Sequence, residues 1–128
     1  MTLDDALKGM FVARKKLSSP EVVSNPSLIS EHTYRLGQYT AEVERFLGEA
    51  EKEYEIKWAK KYSEYTVNVD PLGKGLSATA AKQQADVDTA EDKGNIKELT
   101  RLVGSSWKLH TGSMARYNHL QNEMRGAA

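Results

Sequence analysis

Apolar and small residues recur at steps of three and four along the last part of the chain, where no proline interrupts residues 77–128. These positions are Ile96, Leu99, Val103, Ser106, His110, Ser113, Tyr117, Leu120 and Met124. The spacing keeps one side of a helix turned towards one partner, as in the seam of a coiled coil. It predicts a long helix over 77–125, with a weak point at Gly94 where the helix could break.

Two earlier helices are predicted from the same kind of pattern. A short helix over 1–17 begins at a cap, Thr2 or Asp4, and ends in basic residues, which suit a helix C-terminus. Two prolines in residues 18–26 predict an extended connector, because proline disfavours helix in the residue before it. A second long helix is predicted over 27–66. Residues 67–76, which contain Asp70-Pro71-Leu72-Gly73, form a loop with turn chemistry.

These elements predict an all-α protein. It has a short N-terminal helix and a long antiparallel helical hairpin, coiled-coil-like, within a single helical domain over 1–128. A two-helix hairpin leaves one side of each helix uncovered, and exposed apolar patches mark interfaces. We therefore expect a homo-oligomer that assembles through the last helix. The expected interface residues are Val103, Trp107, His110, Met114, Tyr117, Leu120 and Met124.

Composition narrows the classes of partner and compartment. Lys plus Arg and Asp plus Glu both number 18 in the 128 residues, so any nucleic-acid surface must come from local clustering. The mean hydropathy of -0.63 fits long helices that expose much of their surface. Cysteine is absent, which excludes disulfides and zinc-thiolate sites and is compatible with a reducing cytosol. The acidic start has no signal-peptide pattern, and no stretch has the apolar length of a membrane span, so we expect a cytoplasmic protein.

Catalytic and metal-binding chemistry is not indicated. His110 and His119 are nine residues apart and point to opposite sides of a helix, and His32 lies on another element. The acidic residues from Asp86 to Asp92 are interpreted as a solvated helix face rather than a Mg²⁺ site. A helical hairpin also offers no obvious oxyanion hole for a nucleophile. We expect a protein that is not an enzyme, with no cofactor and no metal.

One short stretch has the composition of a single-stranded nucleic-acid site. Residues 56–66 interleave three lysines with three aromatic residues, namely Lys57, Lys60, Lys61, Trp58, Tyr62 and Tyr65. In such sites ammonium groups follow the phosphates and aromatic rings stack on bases. The alternative is an amphipathic helix end with its aromatic residues in the core and its lysines in water. Both interpretations remain open at the level of residue pattern.

The same stretch belongs to a wider resemblance over roughly residues 24–125. Asn25-Pro26-Ser27-Leu28 opens a long charged helix that passes through Glu49-Ala50-Glu51 and closes in a basic, aromatic run. An Ala-, Lys- and Asp-rich segment, Lys82 to Lys93, then leads into a long helix ending in basic residues. This layout resembles the UvsY family of phage recombination mediators.

The resemblance implies a function and assigns residues to it. It implies a ring-like homo-oligomer in the cytoplasm of an infected host. Such a protein binds single-stranded DNA without sequence preference and helps a recombinase replace single-strand binding protein. Lys57, Lys60 and Lys61 match the basic run and become phosphate contacts. Trp58, Tyr62 and Tyr65 match its aromatic positions, as stacking or packing groups.

Two rival functions fit the residue pattern without DNA. One is a phage coiled-coil assembly or scaffolding protein, which the neutral net charge favours. The other is an adaptor that docks a helical face on a host protein. The discriminating feature is whether Lys57, Lys60 and Lys61 share an open surface or are paired with Glu53, Glu55 and Glu64.

Overall fold

The described residues of the computed structural model, 1–67 and 75–127, fold into five α-helices, with no strand among them. They are α1 (Leu3–Leu17), α2 (Pro20–Val23), α3 (Pro26–Val67), α4 (Ala78–Asp88) and α5 (Ala90–Ala127). The prediction of an all-helical protein with a long helix packed against others is confirmed. The turn residues of 68–74, including the predicted Asp70-Pro71-Leu72-Gly73 turn, lie outside the described residues.

Helix α1 begins at Thr2, one of the two caps that the sequence allows. The Thr2 hydroxyl accepts a hydrogen bond from the Asp5 backbone N–H, and the Asp5 side chain accepts one from the Thr2 backbone N–H. This reciprocal capping box satisfies two backbone donors that a helix start otherwise leaves free. Acidic residues in the first turn and Arg14, Lys15 and Lys16 in the last turn complement the helix dipole.

The connector differs from the extended segment expected for residues 18–26. It contains the single helical turn α2, which starts at Pro20. Ser19 is extended, with φ -79° and ψ 145°, as the residue before a proline should be. Proline is nevertheless suited to the first position of a helix, because its fixed φ is helical and its missing N–H would have no partner there.

The long C-terminal helix is interrupted at Thr89 and not at Gly94. Thr89 has φ -112° and ψ 10°, and it separates α4 from α5. Its buried hydroxyl donates to the Ala85 carbonyl oxygen at 2.8 Å, a bond back along the helix that bends helices. Gly94 lies inside α5 with open space around it, so a glycine's weaker helix propensity alone does not break the helix.

The chain divides into two compact units, Met1–Phe46 with Thr100–Ala128, and Leu47–Leu99. We call them the larger unit and the smaller unit. Each contains parts of α3 and α5, and the smaller unit also contains α4. The assignment of residues 1–128 to one domain stays a prediction.

The larger unit is a three-helix arrangement of α1, the first half of α3 and the part of α5 from Thr100 onward. Its buried residues come from all three helices and from α2: Ala6, Met10, Ala13, Leu17, Val22, Ile29, Thr33, Leu36, Thr40, Val43, Val103, Ser106 and Ser113. Gly37 on α3 lets the His110 side chain of α5 approach, because a Cβ there would lie 3.1 Å from His110 Nε2. Arg14 on α1 donates to the Ser105 and Ser106 hydroxyls of α5 at 3.0 and 3.3 Å.

The smaller unit has a much smaller apolar core. Among its described residues, 47–67 and 75–99, those that are fully or nearly buried are Leu47, Ala81, Ala85 and Thr89. Alanine side chains allow close helix approach but remove little apolar area from water. Aromatic and polar contacts between helices must therefore contribute a larger share of its stability than they do in the larger unit.

The close packing of α1 on α3 leads to a test at Gly9. A Cβ at Gly9 would overlap the Tyr39 ring, so alanine there must displace the ring. Gly104 is the matched control, because it is a helical glycine with nothing within 4 Å of such a Cβ. We expect Gly9→Ala to destabilise by about 1–3 kcal/mol relative to Gly104→Ala, as measured by urea unfolding.

A double-mutant cycle separates this steric effect from other causes. In a Tyr39→Ala background the obstructing ring is gone, and Gly9→Ala should then behave like Gly104→Ala, which gains helix propensity of about 1 kcal/mol. Equal effects of Gly9→Ala in both backgrounds would contradict the proposed contact.

Candidate nucleic-acid interface

Lys57, Lys60 and Lys61 lie on one side of α3 within the smaller unit. Residues three and four apart are neighbours on a helix surface, and these three lysines have that spacing. The Lys57 side chain is 50% exposed and that of Lys61 is 38% exposed. Lys60 is also exposed. The helix therefore presents three ammonium groups in a row, each accessible from solvent.

Two of these lysines have an acidic neighbour. Lys57 Nζ lies 2.7 Å from Asp92 Oδ2 on α5, and Lys61 Nζ lies 3.8 Å from Glu64 Oε2 one turn along α3. Lys60 has no ion-pair partner within the part of the chain that the structure describes. The hydrogen bond and the charge of Asp92 raise the pKa of Lys57, so this ammonium stays protonated at neutral pH.

Two of the three aromatic residues of the stretch contact α4, and the third stacks on one of them. Trp58 Nε1 donates to Asp86 Oδ1 of α4 at 2.8 Å, and the Trp58 and Tyr62 rings stack with centroids 5.4 Å apart. The Tyr65 hydroxyl donates to the Asp88 carboxylate of α4. All three aromatic residues are partly buried. Of the two roles given to them, stacking or packing, these contacts are packing contacts, and base stacking stays a prediction.

The Tyr65–Asp88 contact perturbs both titrating groups. The hydrogen bond from the Tyr65 hydroxyl, assisted by one from Gln84 Nε2 at 3.1 Å, holds the pKa of Asp88 below its ordinary value. The same hydrogen bond, followed by desolvation and the Asp88 charge, raises the pKa of Tyr65. The pair is thus fixed as carboxylate and neutral phenol across the physiological range.

The acidic residues from Asp86 to Asp92 have a role that the sequence analysis missed. They were interpreted as a solvated face, but Asp86, Asp88 and Asp92 accept hydrogen bonds from Trp58, Tyr65 and Lys57 of α3. The sequence does contain a signal for this contact, because the basic, aromatic residues 56–66 and the acidic residues 86–92 are complementary in charge. Pattern alone could not reveal which carboxylate meets which donor, because the choice depends on helix rotation.

The electrostatics of this surface are mixed. Three lysines stand beside four carboxylates, those of Glu64, Asp86, Asp88 and Asp92. The three aspartates hold donors of α3, whereas the Lys60 ammonium is not held by any of them. A polyanion can therefore reach this surface only along the side of α3 that carries Lys57, Lys60 and Lys61, which we call the lysine side.

Some residues of the predicted oligomer interface make contacts inside the larger unit of the same chain. Val103 is buried, Trp107 Nε1 donates to Glu44 Oε2 of α3 at 3.2 Å, and His110 meets the Trp107 ring edge-on. Further along α5, exposure increases, and Met114 and Met124 are 39% and 60% exposed. The later half of the predicted interface is thus the half with apolar surface still open.

Comparison with protein-family models, with curated proteins and with solved structures finds no match to this chain. None of the described helices combines the length and apolarity needed to cross a membrane. Across residues 1–67 and 75–127, no group of three or more His, Asp or Glu side chains is arranged to hold a metal ion.

The Tyr65–Asp88 pair gives a pH-dependent prediction. Because the pKa of Asp88 is lowered on folding, its contribution to stability is present above its ordinary pKa of 3.8 and is lost as pH falls through the lowered value. Because the pKa of Tyr65 is raised, its contribution is present below its ordinary 10.0 and is lost as pH rises through the raised value. We expect Tyr65→Phe to raise the pKa of Asp88 in a carboxyl NMR titration.

Tyr62→Phe is the matched control for this titration, since it removes a phenol one turn away that donates no hydrogen bond to Asp88. The control should leave the Asp88 titration unchanged. Superimposable Asp88 curves for wild type and Tyr65→Phe would show that the hydroxyl does not hold this carboxylate.

Proposed function

We propose that the protein is a non-enzymatic recombination mediator that binds single-stranded DNA along the lysine side of α3. The observation that carries the proposal is the row of three accessible ammonium groups, Lys57, Lys60 and Lys61, on a helix whose adjoining side is fixed by packing. A row of cations on one side of a helix suits a phosphate backbone without selecting bases. The resemblance to the UvsY family supplies the mediator role.

The ion pairs of this surface do not block phosphate binding. The Lys57–Asp92 and Lys61–Glu64 pairs are half-exposed, and ion pairs that remain open to water add little to stability. Each phosphate that replaces a carboxylate also releases condensed counterions from the DNA. The lysines can therefore exchange a carboxylate for a phosphate at little cost in stability.

The aromatic residues support this function by fixing the lysines. The hydrogen bonds of Trp58 and Tyr65 to α4 set the rotation of α3 about its axis, which turns the lysine side outward. Binding then requires little ordering of the helix, and a preorganised site loses less entropy on binding.

The assembly state proposed with this function is a homo-oligomer built from antiparallel helical hairpins. Within the larger unit, Gly37 meets His110 while Glu44 meets Trp107, so numbers rise along α3 as they fall along α5. Within the smaller unit, Lys57 meets Asp92 while Tyr65 meets Asp88. Both orders support antiparallel pairing. The partners that this role implies are a recombinase and single-strand binding protein, in a host cytoplasm.

A second candidate, an assembly or adaptor protein that does not bind DNA, is favoured by one observation. Four carboxylates stand beside the three lysines, so that surface has no net positive charge. Exposed apolar residues on α5, such as Met114 and Met124, would then serve protein contacts alone.

Salt-dependent DNA binding distinguishes the two functions. We expect wild type to bind a labelled single-stranded oligonucleotide in a fluorescence anisotropy titration. Substituting Lys57, Lys60 and Lys61 together by alanine should weaken binding and reduce the slope of log affinity against log salt by about 2, at roughly 0.7 per phosphate. A charge-matched control substitutes Lys52, Lys82 and Lys97, which are exposed elsewhere in the smaller unit.

Asp92→Asn is expected to change DNA affinity in the opposite direction in the same assay. It removes the partner of Lys57 and one nearby negative charge, so binding should tighten by roughly two- to fivefold. Absence of binding at low salt by folded wild type would reject the DNA function and leave the assembly function. Equal losses in the two triple variants would place the DNA elsewhere.

The oligomer is tested by one substitution on α5. Tyr117 is partly buried near the open end of the predicted interface. Tyr117→Asp should dissociate the assembly in sedimentation velocity, because an unpaired carboxylate would be buried between subunits. Lys97→Asp, on the exposed side of α5, is the control. An unchanged sedimentation coefficient for Tyr117→Asp, with the helical circular dichroism retained, would exclude this interface.

A further inference from the structure

A groove in the larger unit has a chemistry that the proposed DNA site does not use. It lies between the end of α1 with α2 and the middle of α5, and its volume is about 450 Å³. Its lining includes Leu17, Val23 and Leu109, together with the cationic side chains of Lys108 and Arg116. The groove is therefore apolar within and basic at its edge.

The two cations of the groove are free to bind an external anion. Lys108 and Arg116 are both exposed, and within the described residues neither forms an ion pair. They are eight residues apart, about two turns of α5, which places them on one side of the helix. The basic last turn of α1, Arg14-Lys15-Lys16, offsets the negative end of that helix where it meets the groove.

The apolar part of the groove has room for a side chain. Gly112 lies on its wall, and a Cβ built there meets nothing within 4 Å. Leu17 is only 6% exposed, so it forms a fixed apolar floor rather than a mobile edge. A bulky apolar group could enter beside Gly112 and be removed from water there.

From this combination we infer that the groove binds an acidic peptide segment of a protein partner that carries a bulky apolar side chain. Carboxylates of the peptide pair with Lys108 and Arg116, and the apolar side chain enters beside Gly112. The charge complementarity selects a negatively charged partner, and the apolar floor selects a peptide over a bare polyphosphate. This site is separate from the lysine side of α3 and does not depend on DNA binding.

The test uses a fluorescein-labelled Asp-rich peptide that ends in Phe, titrated with the full chain by anisotropy. Replacing the peptide's Asp residues by Asn, or its Phe by Ser, should each weaken binding by roughly tenfold or more. On the protein, Gly112→Leu fills the groove and should also weaken binding by at least that factor. Leucine favours helix over glycine, so this variant is expected to fold.

Gly104→Leu is the matched control, because Gly104 is an exposed, open glycine of the same helix outside the groove. It should bind the peptide as wild type does, and a Lys108→Gln/Arg116→Gln variant should not. Binding that is indifferent to the peptide's Phe would overturn the inference in favour of a simple polyanion site. Peptide binding that is unaffected by Gly112→Leu would also overturn the inference. So would dissociation of a homo-oligomer in Gly112→Leu but not in Gly104→Leu.

The two proposals fail separately in these assays. The Lys57/Lys60/Lys61→Ala variant should retain peptide binding, and Gly112→Leu should retain binding of the single-stranded oligonucleotide. Loss of both activities in either variant would reject two independent sites.

Discussion

The hydrogen bonds between the aromatic residues of α3 and the aspartates of α4 are the interaction on which the smaller unit depends. That unit buries Leu47, Ala81, Ala85 and Thr89, a set with little apolar area. Alanine in α4 permits close approach, and the polar atoms of Trp58 and Tyr65 donate hydrogen bonds to Asp86 and Asp88 of the same helix. Trp and Tyr are suited to this position because one end is apolar and the other end forms hydrogen bonds.

The same interaction decides what the basic stretch can do. It constrains the rotation of α3, so that Trp58 and Tyr65 contact α4. The three lysines of the stretch stay accessible to solvent, and Lys57 lies beside Asp92 of α5. Phosphate binding by Lys57, Lys60 and Lys61 is compatible with this arrangement, whereas one face of the Trp58 ring is already stacked on Tyr62 and is not open to a base. The proposed DNA contact is therefore mainly electrostatic, which agrees with binding that does not depend on sequence.

Much of the fold could be predicted because it follows from local rules. The N-terminal helix with its Thr2 cap, the long helix to residue 67 and the helical C-terminal half are encoded in periodicity and capping chemistry. The break at Thr89 could not be predicted, since threonine tolerates a helix and bends it here through a bond to the Ala85 carbonyl oxygen. The helical turn at Pro20 was missed because proline both discourages helix before it and starts one well.

The candidate site was predictable as a set of residues and not as an arrangement. Lysines and aromatic residues at helical spacing were visible in residues 56–66, but spacing does not tell which side of a helix meets a neighbour. The acidic partners illustrate this limit, since Asp92 and not Glu53 or Glu55 pairs with Lys57. Contacts between residues 35 apart in the chain depend on how two helices are rotated against each other.

Lysine footprinting is the most direct test of DNA binding by Lys57, Lys60 and Lys61. The folded protein, with and without saturating single-stranded oligonucleotide, is reductively methylated, and each lysine's modification is measured by mass spectrometry. We expect DNA to protect Lys57, Lys60 and Lys61, while Lys52, Lys82 and Lys97 remain as reactive as in free protein. Unchanged reactivity of the first three lysines in a DNA-bound sample would contradict it.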